Sequence, residues 1–142
     1  MARASFLCLG LALAVVGCKP QPLMLPVDGR VMIDGRPAAG VEVQFHRTGP
    51  QPPHTATPAT TDAEGRFTMV TSNSRGILAG DYTVVFSQWA MPNGGPVPPD
   101  AKPGEVGARQ LLPQRYQSVE ERVHTVTVSP NETHFEFALQ SH

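Results

Sequence analysis

Charged residues make up only 16% of the 142-residue chain, well below the roughly 25% of an average soluble domain. The formal net charge is −1 at pH 7. With neither a basic surplus nor a basic run, the chain lacks the electrostatic footprint of a nucleic-acid binder or of a polybasic membrane surface. Cysteine is scarce as well, limited to Cys8 and Cys18. Two thiols exclude a multi-disulfide framework and a four-cysteine zinc site. No apolar run reaches the ~20 residues that a bilayer span needs, and no window of the chain holds a convincing 3.6-residue apolar period. Aromatics are 6% of the residues, with Trp89 the single tryptophan.

Proline and glycine are what the chain has in plenty, at 15 and 13 residues. They cluster between short apolar runs, a pattern of strands and turns. The exception is the N-terminus, where Arg3 precedes an apolar run from Phe6 to Val16, the layout of a secretory signal. Cleavage after Ala12-Leu13-Ala14 fits the ordinary small-x-small pattern. Val15-Val16-Gly17-Cys18 fits better: it resembles the bacterial lipobox, with valine where leucine is commoner. That resemblance implies an acyl-modified Cys18 at the mature N-terminus and a lipid anchor in a bacterial membrane. Lys19 supplies no acidic retention signal, which favours the outer membrane. Loss of 17 residues from 142 leaves 125, enough for one domain. Cys8 departs with the signal, so thiol catalysis and cysteine metal sites depart with it.

The organisation expected is therefore a signal peptide over 1–17, a lipidated tether over 18–26 rich in proline, and one β domain over 27–142. In "VDGRVMIDGRPAAGVEVQF", Val27, Gly29, Val31 and Ile33 share one strand face, and Val41, Val43 and Phe45 another. Asp34-Gly35 between them tolerates positive φ, so two strands with a short link are expected. Gly65 in "TDAEGRF" precedes a strand over 66–71 with Phe67 and Met69 inward. "DYTVVFSQW" is the strongest strand, central and covered on both faces, with Tyr82, Val84 and Phe86 on one side and Val85 on the other. Residues 90–107 carry Pro92, Pro96, Pro98, Pro99 and Pro103, so regular structure is not expected there. A closing hairpin of "HTVTV" and "THFEFAL" would set Val128 opposite Thr133, Val126 opposite Phe135 and His124 opposite Phe137.

Short strands with turns between them predict an all-β fold, a single antiparallel two-sheet sandwich of about seven strands. Val31, Ile33, Val43, Phe45, Phe67, Tyr82, Val84, Phe86, Val126, Phe135, Phe137 and Leu139 would form its core. The opening "VDGRVMIDGRPAAGVEVQF", the "TDAEGRF" turn, the "GDYTVVF" strand, the "LPQRY" segment and the terminal "HFEFAL" together resemble the small bacterial lipoproteins with a carboxypeptidase regulatory-like or transthyretin-like domain. The resemblance implies a prealbumin-like sandwich tethered to a membrane, with no assigned reaction. The hydroxyisourate hydrolases of that fold end in Tyr-Arg-Gly-Ser, whereas this chain ends Leu139-Gln140-Ser141-His142.

Candidates for chemistry are sparse. Asp62-Ala63-Glu64-Gly65 has two carboxylates and a glycine in one turn but lacks the further spaced oxygens of a calcium loop. The histidines, His46, His54, His124, His134 and His142, show no His-x-His or His-x-x-x-His spacing. No Gly-x-Ser-x-Gly elbow is present, and Glu120-Glu121 would diverge on a strand. Asn131-Glu132-Thr133 is a formal glycosylation sequon, incidental in a bacterium. Trp89, beside the proline-glycine loop, is the candidate binding contact, with Arg115 and Tyr116 as its candidate companions on a flat face. The function expected is that of a non-enzymatic, membrane-anchored envelope lipoprotein acting as a structural or protein-interaction module, with no cofactor, metal or nucleic acid. A carbohydrate-binding or adhesion domain is the alternative, and a transthyretin-like hydrolase a weaker one.

Overall fold

The computed structural model describes residues 17–18, 22–49, 56, 58–71 and 74–142. The apolar run over 6–16, both cleavage motifs up to Val16, and His54 lie outside them. The strands in chain order are β1 (Met24–Leu25), β2 (Asp28–Ile33), β3 (Arg36–Pro37), β4 (Val41–Arg47), β5 (Ala59–Thr60), β6 (Arg66–Thr68), β7 (Val70–Thr71), β8 (Ser74–Arg75), β9 (Ile77–Leu78), β10 (Gly80–Ala90), β11 (Arg109–Gln110), β12 (His124–Val128) and β13 (His134–Leu139). Among the described residues a single 3₁₀ turn, η1, spans Gln114–Tyr116. The all-β class holds. No helix among the described residues is long and apolar enough to cross a membrane.

β10 is the axis of the larger sheet. β4 pairs antiparallel along one edge, with Val84 opposite Phe45, and β5 extends the sheet beyond β4. β12 and β11 share the other edge of β10, Tyr82 facing Val126 and Ala90 facing Arg109. The second sheet is built on β2, with β13 on one side and β6 and β3 antiparallel on the other. Two short ladders, β1 with β9 and β7 with β8, complete the pairing.

Alternation explains which faces are buried. Val41, Val43 and Phe45 are fully buried while Glu42, Gln44 and His46 are only partly covered. Tyr82, Val84 and Phe86 face inward from β10, and Thr83 and Val85 on its other face are buried too, as expected of a central strand. Phe45 from the larger sheet meets Phe67, Phe135 and Phe137 from the smaller, with ring centroids 6.2–6.4 Å apart. Phe86 and Phe137 approach to 4.9 Å edge-on. Of the twelve expected core residues, ten are buried, and Ile33 and Val126 pack against them partly covered.

Several expectations are corrected. β12 and β13 do not form the closing hairpin: β12 pairs with β10, and β13 runs parallel to β2, Val31 opposite Phe137. A single bridge, Ser129 with Glu132, is all that joins them as a turn. The Asp34-Gly35 turn adopts positive φ at both residues, 50° and 77°, but it connects β2 to the short β3, and β4 crosses to the other sheet. The strand expected over 66–71 breaks at Met69 into β6 and β7. The ladders of the described residues fall into four sheets and include the parallel β2–β13 pair, so the pairing is not purely antiparallel. The tether also ends sooner than expected, because Met24 and Leu25 already pair with Leu78 and Ile77 and Leu25 is buried.

Candidate functional site

At one end of the larger sheet, β10 runs past its partners into the proline-glycine segment, and the first turn of that segment folds back. Met91 N–H donates to Gly95 O at 2.8 Å, Gly94 N–H to Met91 O at 2.8 Å, and Ala90 bridges Pro96. Further turns follow, with Ala101 N–H bonded to Pro98 O and Ala108 N–H to Pro103 O. Residues 90–107 thus hold no strand beyond Ala90, as the prolines predict, but they are organised by local hydrogen bonds.

This segment roofs an open cleft of about 640 Å³. Its floor is the start of β4 and the end of β10, and its walls include Trp89, Pro96, Val97, Pro98 and Leu111. Trp89 is 38% exposed. Glu42 is the single ionisable side chain among the described lining residues, set directly opposite Ser87 across the strand pair. Its Oε1 accepts from Gln44 Nε2, and Gln44 Oε1 lies 3.2 Å from His46 Nε2, so the carboxylate is drawn into a polar row along β4.

Gln110 fixes the edge of the cleft in a way the sequence does not announce. Its side-chain oxygen accepts from Gln88 N–H at 2.7 Å, Leu111 N–H at 3.1 Å and Leu112 N–H at 3.3 Å, satisfying backbone donors where β10 outruns β12. Gln88 Nε2 donates in turn to Ala39 O at 2.9 Å. Gln88 is held by these bonds and Ala90 by its pairing with Arg109, so both chain neighbours of Trp89 are anchored.

Tyr116 and Arg115 occupy a different place. Tyr116 is 6% exposed and stacks on His124, with centroids 5.9 Å apart. Its hydroxyl accepts from Gln140 N–H at 3.1 Å, and the Arg115 guanidinium lies 4.7 Å from its ring while donating to His142 O. They pin the C-terminal residues and line a separate cavity with Asp34 and Ala138 in the case of Tyr116; neither lines the Trp89 cleft. Trp89 is thus brought together with the 94–103 turns and Leu111, not with Arg115 and Tyr116.

The remaining candidates fall apart similarly. Asp62 Oδ1 accepts from Glu64 N–H and Arg66 N–H, so its carboxylate caps its own turn. His46, His124, His134 and His142 lie apart, and the described residues contain no group of three or more His, Cys, Asp or Glu positioned to share a metal ion. His124 packs edge-on to Phe86 and Phe137, and burial holds its pKa below the usual imidazole value. Asp34 accepts from the backbone and hydroxyl of Ser141, which lowers its carboxyl pKa. Cys18 is exposed and its thiol is free.

No family model and no curated protein matches the chain. Among solved structures it is similar to a 9R-lipoxygenase from Cyanothece PCC8801, at 11% identity and a TM-score of 0.35, over 87% of this chain and 18% of the lipoxygenase chain. The chain thus spans less than a fifth of that enzyme's length, and a likeness this low bears on neither fold nor function.

Proposed function

We propose that this chain is an exported lipoprotein, anchored in a bacterial membrane through acyl groups on Cys18, whose β domain is a non-catalytic module for binding a protein of the cell envelope. The observation that carries the reading is the position of Cys18. Its exposed, unpaired thiol follows Gly17 and stands five residues before Leu23, whose carbonyl accepts from Ala79 N–H of the domain. In the same reading the larger and smaller sheets are the two layers of a prealbumin-like sandwich, as the resemblance implies. Several acyl chains at about 0.8 kcal/mol per buried methylene hold such a domain at the membrane without a spanning helix.

The cleft roofed by residues 90–103 is the contact surface this reading assigns. A photo-crosslinking residue at Val97, compared in living cells with one at Arg66 on the other sheet, tests it. The expected result is a discrete adduct from position 97 that Trp89→Ala removes; equal adducts from both positions contradict the assignment. The half-exposed Trp89 ring favours a second reading, a saccharide stacked in the cleft. Quenching of Trp89 fluorescence by soluble oligosaccharides, without a protein adduct, would select it.

A further inference from the structure

β13 pairs with β2 along one edge, and among the described residues no strand lies along the other. In a parallel pair, successive residues direct their backbone groups to opposite edges. Thr133 O and Leu139 O accept from Asp28 N–H and Asp34 N–H, so the odd-numbered residues serve β2. His134, Glu136 and Ala138 therefore present their N–H and C=O groups on the open edge, and all three residues are exposed. The open stretch stops at Gln140, whose N–H is taken by the Tyr116 hydroxyl. Such an edge is a template for one more strand. We propose that the same edge of a second copy of this chain occupies it, antiparallel, with His134 of each copy opposite Glu136 of the other.

Backbone parity and charge together select this register. Outward groups meet outward groups only when even-numbered residues face even-numbered ones. Setting His134 opposite Ala138 would place Glu136 against Glu136, and like charges directly opposite destabilise a ladder. Shifting two residues further would call on Gln140 N–H, which Tyr116 already holds. Setting His134 opposite His134 would place Glu132 against Glu136 twice, again like against like. The remaining register places an imidazole against a carboxylate twice, by symmetry, and sets Phe135 across from Phe135 on the inner face. The side chains are free to meet, with His134 62% and Glu136 75% exposed. His134 keeps Nδ1 on Asp28 Oδ1, and its Nε2 stands 4.0 Å from its own Glu136. Each His134–Glu136 pair would exchange both backbone hydrogen bonds, as residues in a narrow antiparallel pair do. A short strand pair buries less than the ~1,200 Å² of a standard interface, so the association is weak and reversible.

Sedimentation velocity on the full chain in detergent at low salt, from about 10 µM to about 1 mM, reads the equilibrium directly. The wild type should pass from monomer to dimer with concentration. Glu136→Lys sets a lysine against His134 twice and should weaken the dimer about tenfold. His134→Lys keeps opposite charges facing and should leave it intact. Glu136→Pro removes an outward N–H without breaking a bond to β2 and should abolish the dimer with little change in thermal unfolding. A wild type that stays monomeric throughout overturns the proposal, as does a dimer of unchanged strength in Glu136→Lys. Should the proline variant unfold, the two lysine variants decide, because neither alters the backbone.

Discussion

Truncating Phe137 to alanine removes the ring that joins the two larger sheets. Phe137 stands on β13 at 5% exposure, and its ring meets Phe86 at 4.9 Å, His124 at 5.6 Å, Phe67 at 6.1 Å, and Phe45 and Phe135 at 6.4 Å each. Those neighbours come from β10, β12, β6, β4 and β13 itself, so no single strand can shift to fill the space. Losing a buried phenylalanine costs about 3–5 kcal/mol in transfer and cavity terms, and rigid surroundings on several sides favour the upper half of that range. Urea unfolding with a slope near 2 kcal/mol/M would then move its midpoint down by about 2 M, a large share of the 5–15 kcal/mol that stabilises an ordinary domain. A midpoint shift below about 0.5 M with an unchanged slope would refute the packing argument.

Other perturbations test other parts of the structure. His124 is held below its usual pKa of 6.5 by burial, so the unfolded chain takes up the proton first. Stability is fully present above pH 6.5 and is lost as pH falls from there through the lower folded value; melting at about pH 7.5 and about 5 should show a drop that His124→Phe reduces. At Gly29 a Cβ would meet Phe135 O at 2.1 Å and the Phe67 ring at 2.6 Å, so Gly29→Ala should cost about 1–3 kcal/mol or more by calorimetry. Asp62→Ala removes the acceptor for Glu64 and Arg66 N–H, and should lower stability by about 1 kcal/mol in denaturant unfolding.

What could be read from the residues was the local geometry. Alternation placed Val41, Val43 and Phe45, and Tyr82, Val84 and Phe86, on their buried faces, and Asp34-Gly35 and Gly65 announced the positive φ they adopt. Strand partnership was not readable, because alternation fixes which face is inward and says nothing of the neighbour. "HTVTV" and "THFEFAL" turn apolar residues inward equally well as a hairpin or as strands of facing sheets, and the chain does the latter. Tyr116 looked like an exposed binding ring because nothing local shows that Gln140 and His124 close over it. Gln110 carried no signal at all, since its role depends on β10 extending past β12.

The anchoring of the domain at Cys18 is tested most directly by mass spectrometry of the N-terminal peptide from protein taken from its native envelope. Acylation at Cys18 predicts a mature chain that begins at that residue and carries acyl groups there, and a Cys18→Ser variant that accumulates unprocessed and takes no fatty-acid label. A chain beginning after Ala14 with an unmodified Cys18 thiol would contradict it.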